Sequence, residues 1–419
     1  MPAMLTEPQA PEPLLPDSGR PYLRHVRIRN YRSIGKCAVE LGALTVLVGR
    51  NAAGKSNFLD ALRFVVDGLR TSLDHAVKAR GGIDAVRRKS TGHPRNFAIE
   101  FDLLLPCHQT GTYGFEIAAR RQGAFVVNHE QLVIRDAGGQ SVAHYNVGEG
   151  SLVSASRKDM PPVAADRLYL VTAASLPEFR PVYETLLAMG FYNLNPDAMK
   201  ELQSPDAGEI LHRDGDNIPS VIARLSADNP DAYARIKQYL QAIVPGITEV
   251  VRVTLGPRET LEFRQRVQGS GHAWKFYAAN MSDGTLRALG ALVSVAQLAD
   301  HRSPVSLIGI EEPETALHPA AAGALMDALR EAAQHTQIVA TSHSPDLLDQ
   351  VNPATDVLLV VVSREGRTEI APLDRASAAA IKDHLYSPGE LLRQDQLAPD
   401  EQSLALQRQL RLFDVEDDA

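Results

Sequence analysis

The chain has 419 residues, 44% of them hydrophobic and 22% charged, enough to bury a sizeable core and ordinary for a globular protein. A net charge of -8 argues against a generally basic, indiscriminate nucleic-acid binder. Its two cysteines, Cys37 and Cys107, suggest neither a disulfide framework nor a zinc site and fit a reduced, cytoplasmic setting; no apolar stretch approaches the ~20 residues of a membrane helix.

Residues 1–20 are rich in proline and acidic groups, lack the layout of a signal peptide, and read as a disordered leader. From Leu23 to Ile34 apolar residues alternate with arginines and a histidine, the period of a half-buried strand, and Ala38–Leu41 is placed to pair with it. Leu44–Val48 is a short apolar strand that turns through Gly49-Arg-Asn-Ala-Ala-Gly54 into a helical pattern beginning near Lys55. Gly49, Gly54, Lys55 and Ser56 meet the pattern G-x-x-x-x-G-K-[S/T] between a strand and a helix, the context that makes it a phosphate loop. The glycines let successive N–H groups turn inward around phosphates. The helix start adds its positive dipole end. Lys55 supplies a charge between the β- and γ-phosphates of a nucleotide, and Ser56 a hydroxyl for Mg²⁺.

Arg80–Lys89 with Arg95 is basic, read either as a solvated loop or as a contact to a nucleic-acid backbone, without interleaved aromatics for stacking. Phe97–Leu105, Tyr113–Arg120, Ala124–Asn128 and Gln131–Arg135 alternate as antiparallel strands. Residues 152–247 are mainly helical, broken by prolines and without a sustained heptad, and Val250–Leu255 with Glu259–Val267 reads as a hairpin. Ser282 is placed as an N-cap, with Thr285 at N3, for a long helix running to about Ala299. Val305–Ile310 is a buried-type strand delivering Glu311, Glu312 and Glu314, as a Mg-nucleotide site at the end of an α/β strand requires. Gln337–Ser342 is a second such strand, ending at His343. A hairpin follows over Asp356–Leu373, then a helical stretch and an acidic end.

In this order, phosphate loop, Ser282-Asp-Gly-Thr285, Glu311-Glu-Pro-Glu314 and His343 resemble the ATP-binding-cassette ATPases of the RecF and SMC type. Ile28–Ile34 and Gly54–Leu62 resemble the same group, and Glu311–Pro319 is similar to the acidic motif of stand-alone ATPases related to RecF and to overcoming-lysogenization-defect proteins. The resemblance spans about Tyr22 to Leu373. It implies an α/β P-loop fold of the ABC type, with a mixed sheet, an antiparallel β-layer and a helical insertion but no long coiled coil. Residues 21–375 would form the ATPase domain, 152–247 its helical insert, and 376–419 a helical and acidic tail.

The resemblance also implies roles. Gly49, Arg50, Asn51, Ala52, Ala53, Gly54, Lys55, Ser56 and Asn57 hold ATP. Ser56 and Glu311 hold Mg²⁺. Glu312 is the catalytic base, and His343 and Lys55 act at the γ-phosphate. Ser282 and Gly284 belong to a signature motif that acts across a homodimer formed on ATP. Ala52 stands where glycine is common, a change tolerable at negative φ, and Gln131 is the candidate for the family's glutamine loop. The function implied is an ATP-hydrolysing switch in DNA repair or antiphage defence, working through DNA or a separate nuclease or toxin chain, since fewer than 80 residues follow His343. The alternative is the nucleotide-binding subunit of a membrane transporter.

Overall fold

In the computed structural model, residues 20–90, 94–164, 166–267, 269, 271–297, 305–409 and 412–413 are described. The expected leader up to residue 19 and the acidic end at 414–419 lie outside them. β1 (Tyr22–Tyr31) and β2 (Ile34–Glu40) form an antiparallel pair. Val26 and Ile28 of β1 are buried, while Arg27 and Arg29 project from the other face to meet Glu100 and Glu116, as a period of two requires. β3 (Leu44–Val48) is buried at every position, the mark of a strand covered on both faces. Leu47 belongs to one apolar cluster and Leu44 and Val46 to another.

Helix α1 (Lys55–Arg70) covers the first face through Phe58, Leu62 and Val65. Tyr31, Phe64 and Phe97 lock it to the strands, with ring centroids 5.4–5.9 Å apart in edge-on pairs. The helices Ile218–Asp228, Pro230–Ile243, Asp283–Ala296 and Ala322–Ala333 cover the other face.

After α1 come the antiparallel strands β4 (Asn96–Leu105), β5 (Gln109–Ala119), β6 (Phe125–Arg135), β7 (Ser141–Gly148) and β8 (Ser151–Ala155). The segments Ala124–Asn128 and Gln131–Arg135 are therefore one strand. Glu116 pairs with His129 and Ile117 with Val127, so Asn128 is bulged out and the alternation resets there. β9 (Met189–Tyr192) is short, and β10 (Ile247–Leu255), β11 (Arg258–Arg266) and β12 (Ala273–Tyr277) make a separate sheet. β13 (Leu307–Glu311), β14 (Gln337–Ser342), β15 (Val357–Arg364) and β16 (Arg367–Pro372) complete the large one.

The large sheet has thirteen described strands in the order β8-β7-β6-β5-β4-β1-β2-β16-β15-β3-β14-β13-β9. β15, β3, β14, β13 and β9 run parallel. Their registers, Ser342 opposite Val48 and Glu311 opposite Thr341, bring the ends of β3, β14 and β13 to one rim. That rim is where an open parallel sheet binds ligands. The segment read as mainly helical contains two strands, β8 at its start and β9 inside it. Four residues are too few to show a period.

Candidate nucleotide site

The loop after β3 is shaped by the absence of side chains. A Cβ on Gly49 would lie 2.1 Å from the Val361 carbonyl oxygen, and one on Gly54, at φ 109°, would lie 2.0 Å from Thr368 Oγ1. Only glycine fits either place. A relay of hydrogen bonds closes the loop from behind. Asn57 Nδ2 donates to Ser33 Oγ (2.6 Å), Ser33 and Thr368 share a hydroxyl contact of 2.7 Å, and Thr368 Oγ1 donates to the Ala53 carbonyl (2.8 Å). Asn57 thus faces the scaffold, while Arg50, Asn51, Ala52 and Ser56 are exposed at the rim. Ala52 sits at φ 63°, so the negative φ at which alanine would be tolerated there is not met. The tight turn imposes the left-handed conformation whatever residue stands there, and alanine is strained by it.

Lys55 is folded back into the loop, its Nζ donating to the carbonyls of Gly49 (2.8 Å) and Arg50 (3.2 Å) and lying 3.9 Å from Glu312 Oε1. Burial pulls its pKa below the usual lysine value, opposed by the charges of Glu312 and Glu314. The same Glu312 oxygen is 3.1 Å from His343 Nδ1, so one carboxylate stands between the lysine and the histidine. Glu312 occupies φ 44° and is held by its N–H to the Thr341 carbonyl (3.1 Å). Left-handed backbone at a bulky residue is strain of the sort that collects at functional sites. Glu314 turns inward, accepting from Ser342 Oγ (2.6 Å); burial raises its pKa first, with the Ser342 hydrogen bond working against it. Glu311 accepts an ion pair from Arg213 Nη2 at 3.2 Å. The rim therefore holds a phosphate cradle, a cation, a strained carboxylate and a histidine together, the parts a phosphoryl-transfer site needs.

Residues 22–166 match the family described as "AAA ATPase domain", and residues 179–349 match "AAA domain, putative AbiEii toxin, Type IV TA system". The first match contains the phosphate loop, the second Glu311, Glu312 and His343. Among solved structures, the chain is similar to an Smc head bound to the C-winged helix domain of ScpA (TM-score 0.52, 13% identity, covering 85% of this chain and 99% of that one). It is also similar to Smc head domains with coiled-coil segments from Pyrococcus yayanosii (0.51, 11%, 87% and 99%) and Pyrococcus furiosus (0.50, 12%, 87% and 99%), the latter bound to the C-terminal domain of ScpA. At such identities the likeness speaks to the fold. Among curated proteins nothing matches. The two halves of the chain match AAA ATPase domain families, and the fold is that of an Smc head.

The ATPase fits magnesium through its donor set. Ser56 and Glu311 offer hard oxygens, and Arg213 already places a cation against the Glu311 carboxylate. No group of three or more His, Cys, Asp or Glu residues capable of holding a metal is found among the described residues.

Ser282 caps the Asp283–Ala296 helix, its Oγ accepting from the Thr285 N–H at 3.2 Å. A Cβ on Gly284 would lie 2.2 Å from the Ala316 carbonyl, so this helix start is pressed onto the turn following Glu314. Among the described residues no hydrogen bond or ion pair joins Ser282 or Gly284 to Gly49–Ser56. Gln131 is buried in β6, with β5, β4, β1, β2, β16 and β15 between it and β3. At ~4.8 Å per strand that is roughly 34 Å from the loop, so Gln131 is not the glutamine-loop residue. The strand beside β13 that leads into the helical segment is β9. The polar residue at its end is the exposed Asn193, whose N–H donates to the Arg213 carbonyl (2.9 Å). No local pattern marks Asn193 or Arg213. The basic segment splits as well. The Arg80 side chain is 1% exposed and pairs with Asp60 and Asp67, which makes it part of the core, while Arg87 is held by Asp84 and the Pro94 carbonyl.

Proposed function

We propose that this ATPase is a two-chain switch, dimerising on ATP and acting in DNA repair or antiphage defence through nucleic acid or a separate effector chain. The observation that carries the reading is the shared carboxylate: Glu312 Oε1 lies 3.9 Å from Lys55 Nζ and 3.1 Å from His343 Nδ1. In this reading Lys55 exchanges its loop carbonyls for the β- and γ-phosphates, Glu312 orients and deprotonates the attacking water, and His343 steadies both. Ser56 and Glu311 would hold Mg²⁺, whose charge would offset that of the phosphates. Ser282 and Gly284 form a capped helix start without a hydrogen bond or ion pair to their own loop among the described residues, and in this reading they act on the nucleotide of a second copy. Asn193 takes the place assigned to the glutamine loop. The family match whose description names an AbiEii toxin and a toxin–antitoxin system supports an effector-linked role in defence.

Glu312→Gln tests it. Turnover should fall about 10²–10⁴-fold, the worth of a positioned base, while ATP converts the variant from monomer to dimer in light scattering. Unchanged turnover removes Glu312 from the role, and a monomer in saturating ATP removes the two-chain switch. Proteins or nucleic acid retained by the trapped form would name the partner; a membrane permease among them would favour the transporter reading instead.

A further inference from the structure

Strand β16 has two chemical faces. Thr368 points toward the phosphate loop, so its neighbours Arg367 and Glu369 project from the opposite side of the sheet. Lys36 of β2 shares that side, because Cys37 and Val39 on either hand of Ala38 belong to the cluster packed on α1. There a cleft of about 320 Å³ opens, lined by Asn30, Lys36, Arg88, Arg367, Glu369 and Arg408 among others. Arg88 is fixed at its mouth by its N–H to the Asn30 carbonyl (2.8 Å), and Lys36 Nζ by the Arg408 carbonyl (2.8 Å).

The charge in this cleft is one-sided. Among the described residues that line it, four cationic side chains meet one carboxylate, Glu369, which is already shared by Arg408 (2.9 Å) and Arg364 (3.4 Å). Among the described residues neither Arg88 nor Arg367 has a carboxylate partner. Arg88 Nε is buried without a hydrogen-bond acceptor. Burial, and then the like charge of Arg367, pull the Arg88 pKa down. A chain of net charge -8 has carboxylates to spare, yet among the described residues Glu369 is the one carboxylate that lines this cleft. Two unpaired guanidinium forks converging on one space match the tetrahedral oxygens of a phosphate, and the volume suits a ligand of about nucleotide size.

We propose that this cleft binds a phosphate group, carried by a small phosphorylated molecule or by a nucleic-acid backbone. The site is distinct from the phosphate loop and stands whether or not the switch reading above holds. The test uses the full chain carrying Lys55→Ala, to silence the loop, with and without Arg88→Gln/Arg367→Gln. The probes are inorganic pyrophosphate by calorimetry and a labelled single-stranded oligonucleotide by fluorescence anisotropy over a salt series. The double substitution should weaken at least one probe tenfold or more while the melting temperature stays native. Loss of oligonucleotide affinity with a salt slope shallower by about 0.7 per lost phosphate contact assigns a nucleic-acid backbone; loss for pyrophosphate alone assigns a small ligand. Arg87→Gln, which alters the same basic segment outside the cleft, should change neither probe. Equal binding with and without the double substitution overturns the proposal, and so does an equal loss in Arg87→Gln, which would mean diffuse charge rather than a built site.

Discussion

Thr368→Val separates the loop's scaffold from its chemistry. Valine keeps the β-branched shape that β16 favours and replaces only the hydroxyl. The Ala53 carbonyl, buried with its residue at 4% exposure, loses its 2.8 Å donor, and Ser33 loses its 2.7 Å partner while keeping Asn57. Two hydrogen bonds at about 1 kcal/mol each, one leaving a buried acceptor unpaired, give a destabilisation of about 2 kcal/mol. If all of it falls on loop closure, ATP affinity drops by at most about 30-fold, since every 1.4 kcal/mol is tenfold. Urea unfolding gives the first number and titration with a fluorescent ATP analogue the second. The expected result is a lower urea midpoint at unchanged slope and a Kd for ATP raised 5- to 30-fold. A variant with wild-type midpoint and wild-type Kd would show that the relay contributes nothing and that the glycines alone shape the loop.

Ala52→Gly relieves a left-handed residue at φ 63°. With ~1–2 kcal/mol of strain removed and up to ~1 kcal/mol lost to the freer unfolded chain, a gain of up to about 1 kcal/mol in urea unfolding is expected; a destabilised variant would refute the strain. Arg213→Ala frees Glu311 from a half-exposed ion pair at 3.2 Å worth ~0.2–1 kcal/mol. The Mg²⁺ concentration at half-maximal ATPase activity should therefore fall by up to about fivefold, and an unmoved midpoint would mean that the arginine does not compete with the metal. Burial pushes the Glu130 carboxyl up to about 7 from 4.5, against the pull of the Tyr169 and Leu170 N–H groups and the Tyr145 and Tyr113 hydroxyls. The folded state then holds an extra proton between those values, so this group's contribution to stability is lost as pH rises from 4.5 through 7 and is level above. Urea midpoints across pH 5–8 should fall less steeply in Glu130→Gln than in the wild type; parallel profiles would refute it.

Residues whose chemistry is written into adjacent positions were legible. Gly49 to Ser56, Glu311 to Glu314 and His343 each follow an apolar strand, and strand, turn and ligand are a local matter. What the sequence concealed depends on neighbours far along the chain. Asn193 stands near the Glu311 end of β13 only because β9 lies beside that strand, and Arg80 is neutralised by Asp60 on α1. Thr368 reaches the loop across 315 positions. The φ of Ala52 is dictated by the closure of the turn, not by the alanine, so composition could not foretell its sign.

The pairing of β3 also bears on how the chain is made. Leu44 has Ile338 as its partner on one side, and Thr45 has Val357 on the other. On a ribosome elongating at about 5–20 residues per second, the strand carrying the phosphate loop waits roughly 15–60 s for either neighbour. Until then its apolar edges are open to anything else that can pair with them. The nascent chain therefore passes through an interval in which this apolar strand is unpaired and the nucleotide site unbuilt, and a truncation before Gln337 would leave β3 in that condition permanently.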